Sequence, residues 1–170
     1  MGIVSKNLSF TYGKKKALNN VNLSLTSGFN VLLGPNGAGK STLFSLLTGL
    51  RRTAHGSIEI NGEELHQNKS KVMSQMGVVF QQSTLDLDLT VKQNLFYYIA
   101  PKKALQNIEL ILEQLSLTER LDDKVRTLNG GHRRRVEIAR ALIHQPKILL
   151  LDEATVGLDV DSRLLIISYV

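Results

Sequence analysis

The sequence predicts an α/β fold, and two kinds of apolar pattern support that prediction. Continuous apolar runs at residues 76–80 and 148–151 are typical of parallel strands that are covered on both faces. Apolar and polar residues alternate at residues 21–25 and again at 58–60, which favours antiparallel strands with one face in water. The two patterns together indicate a fold that contains parallel and antiparallel strands, with helices between them.

A glycine-rich segment follows the pattern GxxxxGK[ST]. Its residues are Gly34, Pro35, Asn36, Gly37, Ala38, Gly39, Lys40 and Ser41. The apolar residues 29–33 predict a short buried strand before this loop, and residues 42–50 predict a helix after it. Glycines allow several backbone N–H groups to point at an anion, and the helix N-terminus adds its positive dipole end. The pattern therefore predicts a nucleotide phosphate site, with Lys40 on the outer phosphates and the Ser41 hydroxyl on magnesium.

Two carboxylates, Asp152 and Glu153, end the apolar run at residues 148–151. Ligands of open α/β sheets bind at the carboxyl ends of the strands, where these side chains are expected to lie. Asp152 would bind or orient magnesium, and Glu153 would act as a general base on the attacking water. An exposed acidic strand end is the simpler alternative, but phosphoryl transfer needs both a phosphate loop and such carboxylates.

A second glycine pair precedes a predicted helix over residues 133–143. The residues before this helix read Leu128, Asn129, Gly130, Gly131 and His132. With the two motifs above, they make the chain resemble the nucleotide-binding domain of ATP-binding-cassette (ABC) ATPases, whose signature loop reads LSGGQ. The resemblance runs from about residue 3 to residue 170. It implies that residues 129–132 contact the ATP held by the other subunit of a dimer.

The signature loop departs from the family pattern at two positions. Asn129 replaces a serine and can still donate a hydrogen bond to a phosphate. His132 replaces a glutamine and would add a positive charge below about pH 6.5. An ordinary polar residue at a helix start is the simpler interpretation of His132.

The resemblance also assigns roles to residues outside these motifs. Gln81 would sense magnesium and the attacking water, with Gln82 as the weaker candidate. Tyr12 would stack on adenine, although an ordinary aromatic residue at a strand end is the alternative. Asp159 would lie in the loop that crosses the dimer interface. The implied ATP-binding set is Tyr12, Gly34, Pro35, Asn36, Gly37, Ala38, Gly39, Lys40, Ser41 and Thr42; the catalytic set is Glu153, Gln81 and Lys40; the magnesium ligands are Ser41, Gln81 and Asp152.

The fold implied by the resemblance is a P-loop NTPase core with a mixed central sheet, an antiparallel β-subdomain and an inserted helical subdomain. Apolar residues at helical spacing from Leu105 to Leu115 place that helical lobe at about residues 87–126. Residues 1–170 are expected to form one nucleotide-binding domain. We expect it to be incomplete at the C-terminus, because the family continues with a helix, a core strand and a switch histidine.

Composition and charge restrict the class of protein further. The 170 residues include no cysteine, so disulfide frameworks and thiolate zinc sites are excluded. No run approaches the ~18 apolar residues of a membrane span. The formal charge of +6 comes from short, scattered basic clusters that lack interleaved aromatic residues, so we expect no nucleic-acid partner.

The predicted function is ATP binding and hydrolysis as a subunit of an ABC transporter, with magnesium as cofactor. We expect a homodimer of nucleotide-binding domains on membrane-spanning permease subunits, at the cytoplasmic face of the cell membrane. The segment at residues 83–95 and the three arginines after the signature loop favour an exporter. The alternatives are a soluble ABC ATPase in translation or DNA repair, or an inactive ATP-binding fragment.

Overall fold

Residues 2–73 build a four-stranded antiparallel sheet with two short helices. The computed structural model describes residues 2–97, 108–153, 160 and 164, and the chain divides into two compact units, residues 1–73 and 74–169. The elements of the first unit are β1 (Gly2–Tyr12), β2 (Lys15–Thr26), α1 (Lys40–Leu47), β3 (His55–Ile60), β4 (Glu63–Glu64) and α2 (Lys69–Met73). The strand order is β2-β1-β3-β4.

The alternation in the sequence sets which face of this sheet is buried. On β1, Ile3 and Ser5 pair with Ile60 and Ile58 of β3, and all four residues are buried. Strand β2 alternates half-buried Val21, Leu23 and Leu25 with exposed neighbours. The antiparallel strands predicted at residues 21–25 and 58–60 are therefore confirmed.

Helix α1 packs an apolar face and ends at a glycine. Leu43, Leu46 and Leu47 are buried. Gly49 follows in the left-handed region, with φ 64°, and its N–H donates to Leu46 O over 3.1 Å. This geometry stops a helix at little cost when the residue has no Cβ. The helix predicted from residue 42 to residue 50 thus begins two residues earlier and ends three residues earlier.

The short buried strand predicted at residues 29–33 is wrong. No strand of the described residues includes this segment. Phe29, Val31, Leu32 and Leu33 are between 52% and 84% exposed. An apolar run becomes a strand only where a neighbouring strand accepts and donates its backbone hydrogen bonds. Among the described residues, the strand pairs are β1 with β2, β1 with β3, β3 with β4, and Met76–Val79 with Ile148–Leu151, and none of them uses residues 29–33.

In the described part of the chain, the second unit contains a parallel strand pair and three α-helices, of which the last is the longest. Its elements are β5 (Met76–Val79), α3 (Val91–Phe96), α4 (Ile108–Gln114), α5 (Gly130–Leu142) and β6 (Ile148–Leu151), with 3₁₀ turns at Thr118–Arg120 and Val125–Thr127. Strands β5 and β6 run parallel, in register from Met76 opposite Ile148 to Val79 opposite Leu151. The two parallel strands predicted from continuous apolar runs are confirmed.

Helix α5 lies directly against β5 at a glycine. A Cβ on Gly77 would stand 2.4 Å from the carbonyl oxygen of Ala141. That separation is far inside van der Waals contact, so only a residue without a Cβ allows the helix to approach this closely. Val136, Ile138 and Leu142 of α5 are fully buried in the apolar core of the unit.

The predicted helical lobe contains α3, α4 and the two 3₁₀ turns. Thr90 and Gln93 form a capping box that starts α3, with each side chain bonded to the other's backbone N–H. Residues 98–107, with Pro101 and Leu105, lie outside the described residues. The extent of the lobe at residues 87–126 therefore stays a prediction.

Candidate functional site

The glycine-rich loop of the first unit is shaped by the lysine that follows it. Lys40 Nζ donates to the carbonyl oxygens of Gly34 and Pro35 over 2.7 and 2.9 Å. These two bonds fold the ammonium group back over the loop. A cation held there is placed to attract an anion that the loop encloses.

Gly39 joins this loop to α1 at a position that no other residue fits. Its φ is 93°, and an added Cβ would stand 2.8 Å from both Ala17 O and Leu18 Cδ2. Gly39 is the N-cap of α1 and offers no side-chain hydrogen bond to the first turn. The first N–H groups of the helix are thus without a side-chain cap, which suits a bound phosphate.

Tyr12 lies in the same unit and has one polar and one cationic neighbour. Its hydroxyl lies 3.5 Å from the hydroxyl of buried Thr42, and the residue is 43% exposed. The Arg51 guanidinium stands 4.9 Å from the ring centroid. The ring is therefore partly exposed to a planar ligand, while Arg51 covers part of it by a cation–π contact.

Gln81 and Glu153 meet in the second unit although they are 72 residues apart in sequence. Gln81 Nε2 donates to Glu153 Oε2 over 2.7 Å, and both residues are exposed. Asp152 is half-buried, and its N–H donates to Val79 O over 3.0 Å, which continues the pairing of β6 with β5. Glu153 then has a left-handed φ of 49°, an uncommon conformation for a residue with a Cβ.

The signature residues form the start of α5 rather than a loop before it. Helix α5 begins at Gly130 and not at residue 133, because Asn129 caps it. Asn129 Oδ1 accepts from the backbone N–H of His132 over 2.9 Å, and the His132 ring Nδ1 lies 2.9 Å from the same oxygen. The side-chain oxygen of Asn129 is thus used at the start of the helix, and the side-chain nitrogen remains as a hydrogen-bond donor.

His132 is harder to protonate than a free histidine. Burial lowers its pKa, and the nearby Arg120 and Arg135 guanidinium groups lower it further. The charge expected below about pH 6.5 therefore arrives only at a more acidic pH. His132 also lines an open cavity of about 480 Å³ together with Glu113, Ser116, Thr118, Glu119 and Arg120.

The sequence pattern did not single out a buried ion pair in α5. Arg134 Nη1 donates to Glu137 Oε2 over 2.8 Å, with side chains 11% and 5% exposed. Opposite charges three residues apart on a helix are a known pairing signal. The sequence does not point to this pair, because Arg134 belongs to a run of three arginines and such runs are typical of solvent-exposed surface.

The predicted site residues are distributed over both units. Tyr12 and residues 34–42 belong to the first, and Gln81, residues 129–132, Asp152 and Glu153 to the second. Asp159 lies outside the described residues. Within the described ranges, no cluster of three or more histidine, aspartate and glutamate side chains could hold a metal ion. The assigned roles of all these residues stay predictions.

The family profile described as ABC transporter matches residues 18–156. This span contains the phosphate loop, Gln81, the signature residues and both carboxylates. The chain belongs to the ABC transporter ATP-binding family. The predicted membership and the α/β fold class are thereby confirmed, and the family is one of ATP-hydrolysing domains.

Relatives in this family include three bacterial ATP-binding proteins. The chain is 38% identical to the linearmycin resistance ATP-binding protein LnrL of Bacillus subtilis strain 168, over 94% of this chain and 53% of that protein. It is 38% identical to a Nod factor export ATP-binding protein I of Cupriavidus metallidurans, over 95% and 55%. It is 37% identical to the daunorubicin resistance protein DrrA3 of Streptomyces coeruleorubidus, over 89% and 50%. The chain spans about half the length of these relatives.

Solved ABC structures share the fold. An ATP-binding subunit of an ABC transporter superposes with a TM-score of 0.85 at 25% identity, over 99% of this chain and 73% of that one. A bacterial Atm1-family ABC exporter with ATP bound gives 0.83 at 27% identity, over 99% and 32%. Among the described residues of the present chain, no helix is both long and apolar enough to cross a membrane.

Proposed function

We propose that this ABC chain binds and hydrolyses ATP as the energy-supplying subunit of an exporter. The contact between Gln81 and Glu153 carries the proposal, because two residues predicted to act on the same water come within 2.7 Å of each other. The names of the relatives support export, since they refer to Nod factor export and to resistance against linearmycin and daunorubicin.

The reaction needs a base, a water and a stabilised phosphate. Glu153 would take a proton from water, the water oxygen would attack the γ-phosphorus, and the bond to the bridging oxygen would break to give ADP and phosphate. Gln81 donates to only one Glu153 oxygen, Oε2. The other oxygen, Oε1, is the one we assign to the water.

The phosphate loop would hold the leaving group. Lys40 would move from the Gly34 and Pro35 carbonyl oxygens to the outer phosphates, where its charge offsets that of the nucleotide. Tyr12 would stack on adenine, and such stacking contributes roughly 1–3 kcal/mol. The loop itself would bind the nucleotide mainly through its main-chain N–H groups.

Magnesium fits the chemistry of the residues assigned to it. The Ser41 hydroxyl, the Gln81 amide oxygen and the Asp152 carboxylate are hard oxygen donors of the kind that magnesium prefers. Gln81 Nε2 donates to Glu153, so its amide oxygen remains available for this role. When bound, magnesium would offset the charge that develops on the transferred phosphate.

The partners we propose are a second copy of the domain and membrane-spanning permease subunits. In that arrangement Asn129, Gly130, Gly131 and His132 face the ATP of the other copy, and Asp159 lies at the dimer interface. The assembly would lie at the cytoplasmic face of the membrane. A soluble role in translation or DNA repair, or a chain that only binds ATP, is the alternative.

One experiment separates these possibilities. The protein carrying an affinity tag is isolated from membranes, and the hydrophobic proteins that accompany it are identified, while phosphate release from MgATP is measured on the isolate. Recovery with a permease together with phosphate release supports the proposal. Recovery only in the soluble fraction, or ATP binding without phosphate release, would contradict it.

A further inference from the structure

Side chains on one face of α5 form hydrogen bonds with residues 80–84, a segment that includes Gln81. Arg134 Nη1 donates to Phe80 O over 2.5 Å. The Thr84 N–H donates to Glu137 Oε1 over 3.1 Å. Arg140 donates to Thr84 O over 3.2 Å and to the Thr84 hydroxyl. Arg134, Glu137 and Arg140 are spaced by three residues, so they follow one another along the helix face.

Arg134 also contacts the other half of the predicted catalytic pair. Its Nη2 donates to the main-chain oxygen of Glu153 over 3.2 Å. One guanidinium therefore links the residue before Gln81 to Glu153 itself. A planar group with donors in a fixed fork can hold two acceptors at a set separation, which a lysine ammonium does with less directional control.

The ion pair from which this link extends is buried. Arg134 and Glu137 are only 11% and 5% exposed. Water competes little for their hydrogen bonds at this depth, and an unpaired partner left behind would be strongly unfavourable. Glu137 uses one oxygen for Arg134 and the other for Thr84, so its carboxylate is satisfied on both sides.

We propose that Arg134 and Glu137 are positioning residues that hold the Gln81 side chain against Glu153. The inference rests on the proposed hydrolysis, because it explains how the water-binding pair is kept in place. Arg134 holds the carbonyl oxygens of Phe80 and Glu153 in place, while Glu137 holds the N–H of Thr84. Loss of either contact lets the Gln81 amide leave Glu153.

The test compares Arg134→Gln with Arg133→Gln. The control removes the same charge from the neighbouring position of α5, but Arg133 contacts Val125 O and Arg126 O instead of residues 80–84. The readout is the NMR signal of the Gln81 side-chain amide, assigned by its absence in Gln81→Asn. We expect Arg134→Gln to shift this signal towards that of a free amide and to speed its exchange with water. Arg133→Gln should leave it unchanged.

Two milder variants keep the inference testable if Arg134→Gln does not fold. Arg134→Lys keeps the positive charge but loses the planar guanidinium with its two donor nitrogens. Glu137→Gln keeps the shape of the side chain but loses its negative charge. We expect both to shift the Gln81 amide signal in the same direction while the circular dichroism spectrum stays native. An unshifted signal in folded Arg134→Lys and Glu137→Gln would overturn the inference.

The kinetic readout separates positioning from a general loss of fold. We expect Arg134→Lys to lower kcat by roughly 10- to 100-fold, because small misplacement of a reacting group has effects of this order. KM for ATP should stay unchanged, since the phosphate loop belongs to the other unit. Absence of turnover in the wild type would contradict the proposed function alone, because the amide signal still decides the inference.

Discussion

In residues 2–73 the predicted phosphate site is held mainly by main-chain groups, whereas in residues 74–153 the contact between Gln81 and Glu153 is made by side chains. Lys40 is held by the carbonyl oxygens of Gly34 and Pro35, at a loop whose residues are mostly exposed. Gln81 and Glu153 are held by each other and, through α5, by a buried ion pair. A loop of main-chain donors suits the binding of an anion that arrives from water, whereas proton transfer needs a fixed side-chain geometry. The comparison predicts that binding and turnover can be changed separately.

Glu153→Gln gives the largest effect and tests the second region. We expect phosphate release to fall by about 10²- to 10⁴-fold with ATP affinity unchanged, because an amide cannot accept the proton of the water. Steady-state phosphate release and calorimetric ATP titration measure the two quantities. Glu113→Gln, an exposed change of the same kind in the same unit, is the control. Wild-type turnover in Glu153→Gln would mean that the base lies elsewhere.

Lys40→Ala tests the first region. We expect it to weaken MgATP binding, whereas Glu153→Gln should slow turnover. Loss of a charge-assisted hydrogen bond costs about 1.5–3 kcal/mol, which corresponds to roughly 10- to 150-fold weaker MgATP binding. Calorimetry should therefore show no high-affinity binding. Lys14→Ala removes the same charge from an exposed position of the same unit and should bind normally. Equal affinities in the two variants would remove the phosphate-site assignment.

Thr90→Ala tests whether the stability of the second region depends on a helix cap. Thr90 caps α3 as part of a capping box, and removal of such a cap costs about 1 kcal/mol. We expect the Tm to fall by about 2–4 °C without a change in ATP affinity. Thr118→Ala, at an exposed residue of a 3₁₀ turn, should change the Tm less. A larger fall in the control would show that the cap is not the source of stability.

His132 provides the smallest effect, and its sign is fixed by the lowered pKa. The folded state binds the proton less readily than the unfolded state, so stability is unaffected above about pH 6.5. Stability falls as the pH drops from there to the lower folded pKa, and then levels off. NMR titration of the His132 ring should give a pKa below the ordinary value. Arg120→Gln should raise it, because one of the nearby positive charges is removed; an unchanged value would contradict this cause.

Local sequence patterns predicted most of the fold, and contacts between distant residues account for what they missed. The runs at 76–80 and 148–151 gave the parallel pair because continuous apolar residues require cover on both faces. Residues 29–33 carry a similar run, yet a run does not say which strand will pair with it. The sequence marked Gln81 and Glu153 separately. It did not mark Arg134 and Glu137, whose function depends on the main chain of residues 80–84.

The spacing of β5 and α5 at Gly77 makes the second unit sensitive to a single methyl group. The atom that a Cβ would meet is the main-chain oxygen of Ala141, which cannot rotate away as a side chain can. A Cβ at residue 77 would therefore require α5 or β5 to shift. Arg134 and Glu137 are carried by that helix, so the displacement would reach Gln81 without any change in the residues that touch it. We therefore expect Gly77→Ala to disturb the contact between Gln81 and Glu153 from a distance.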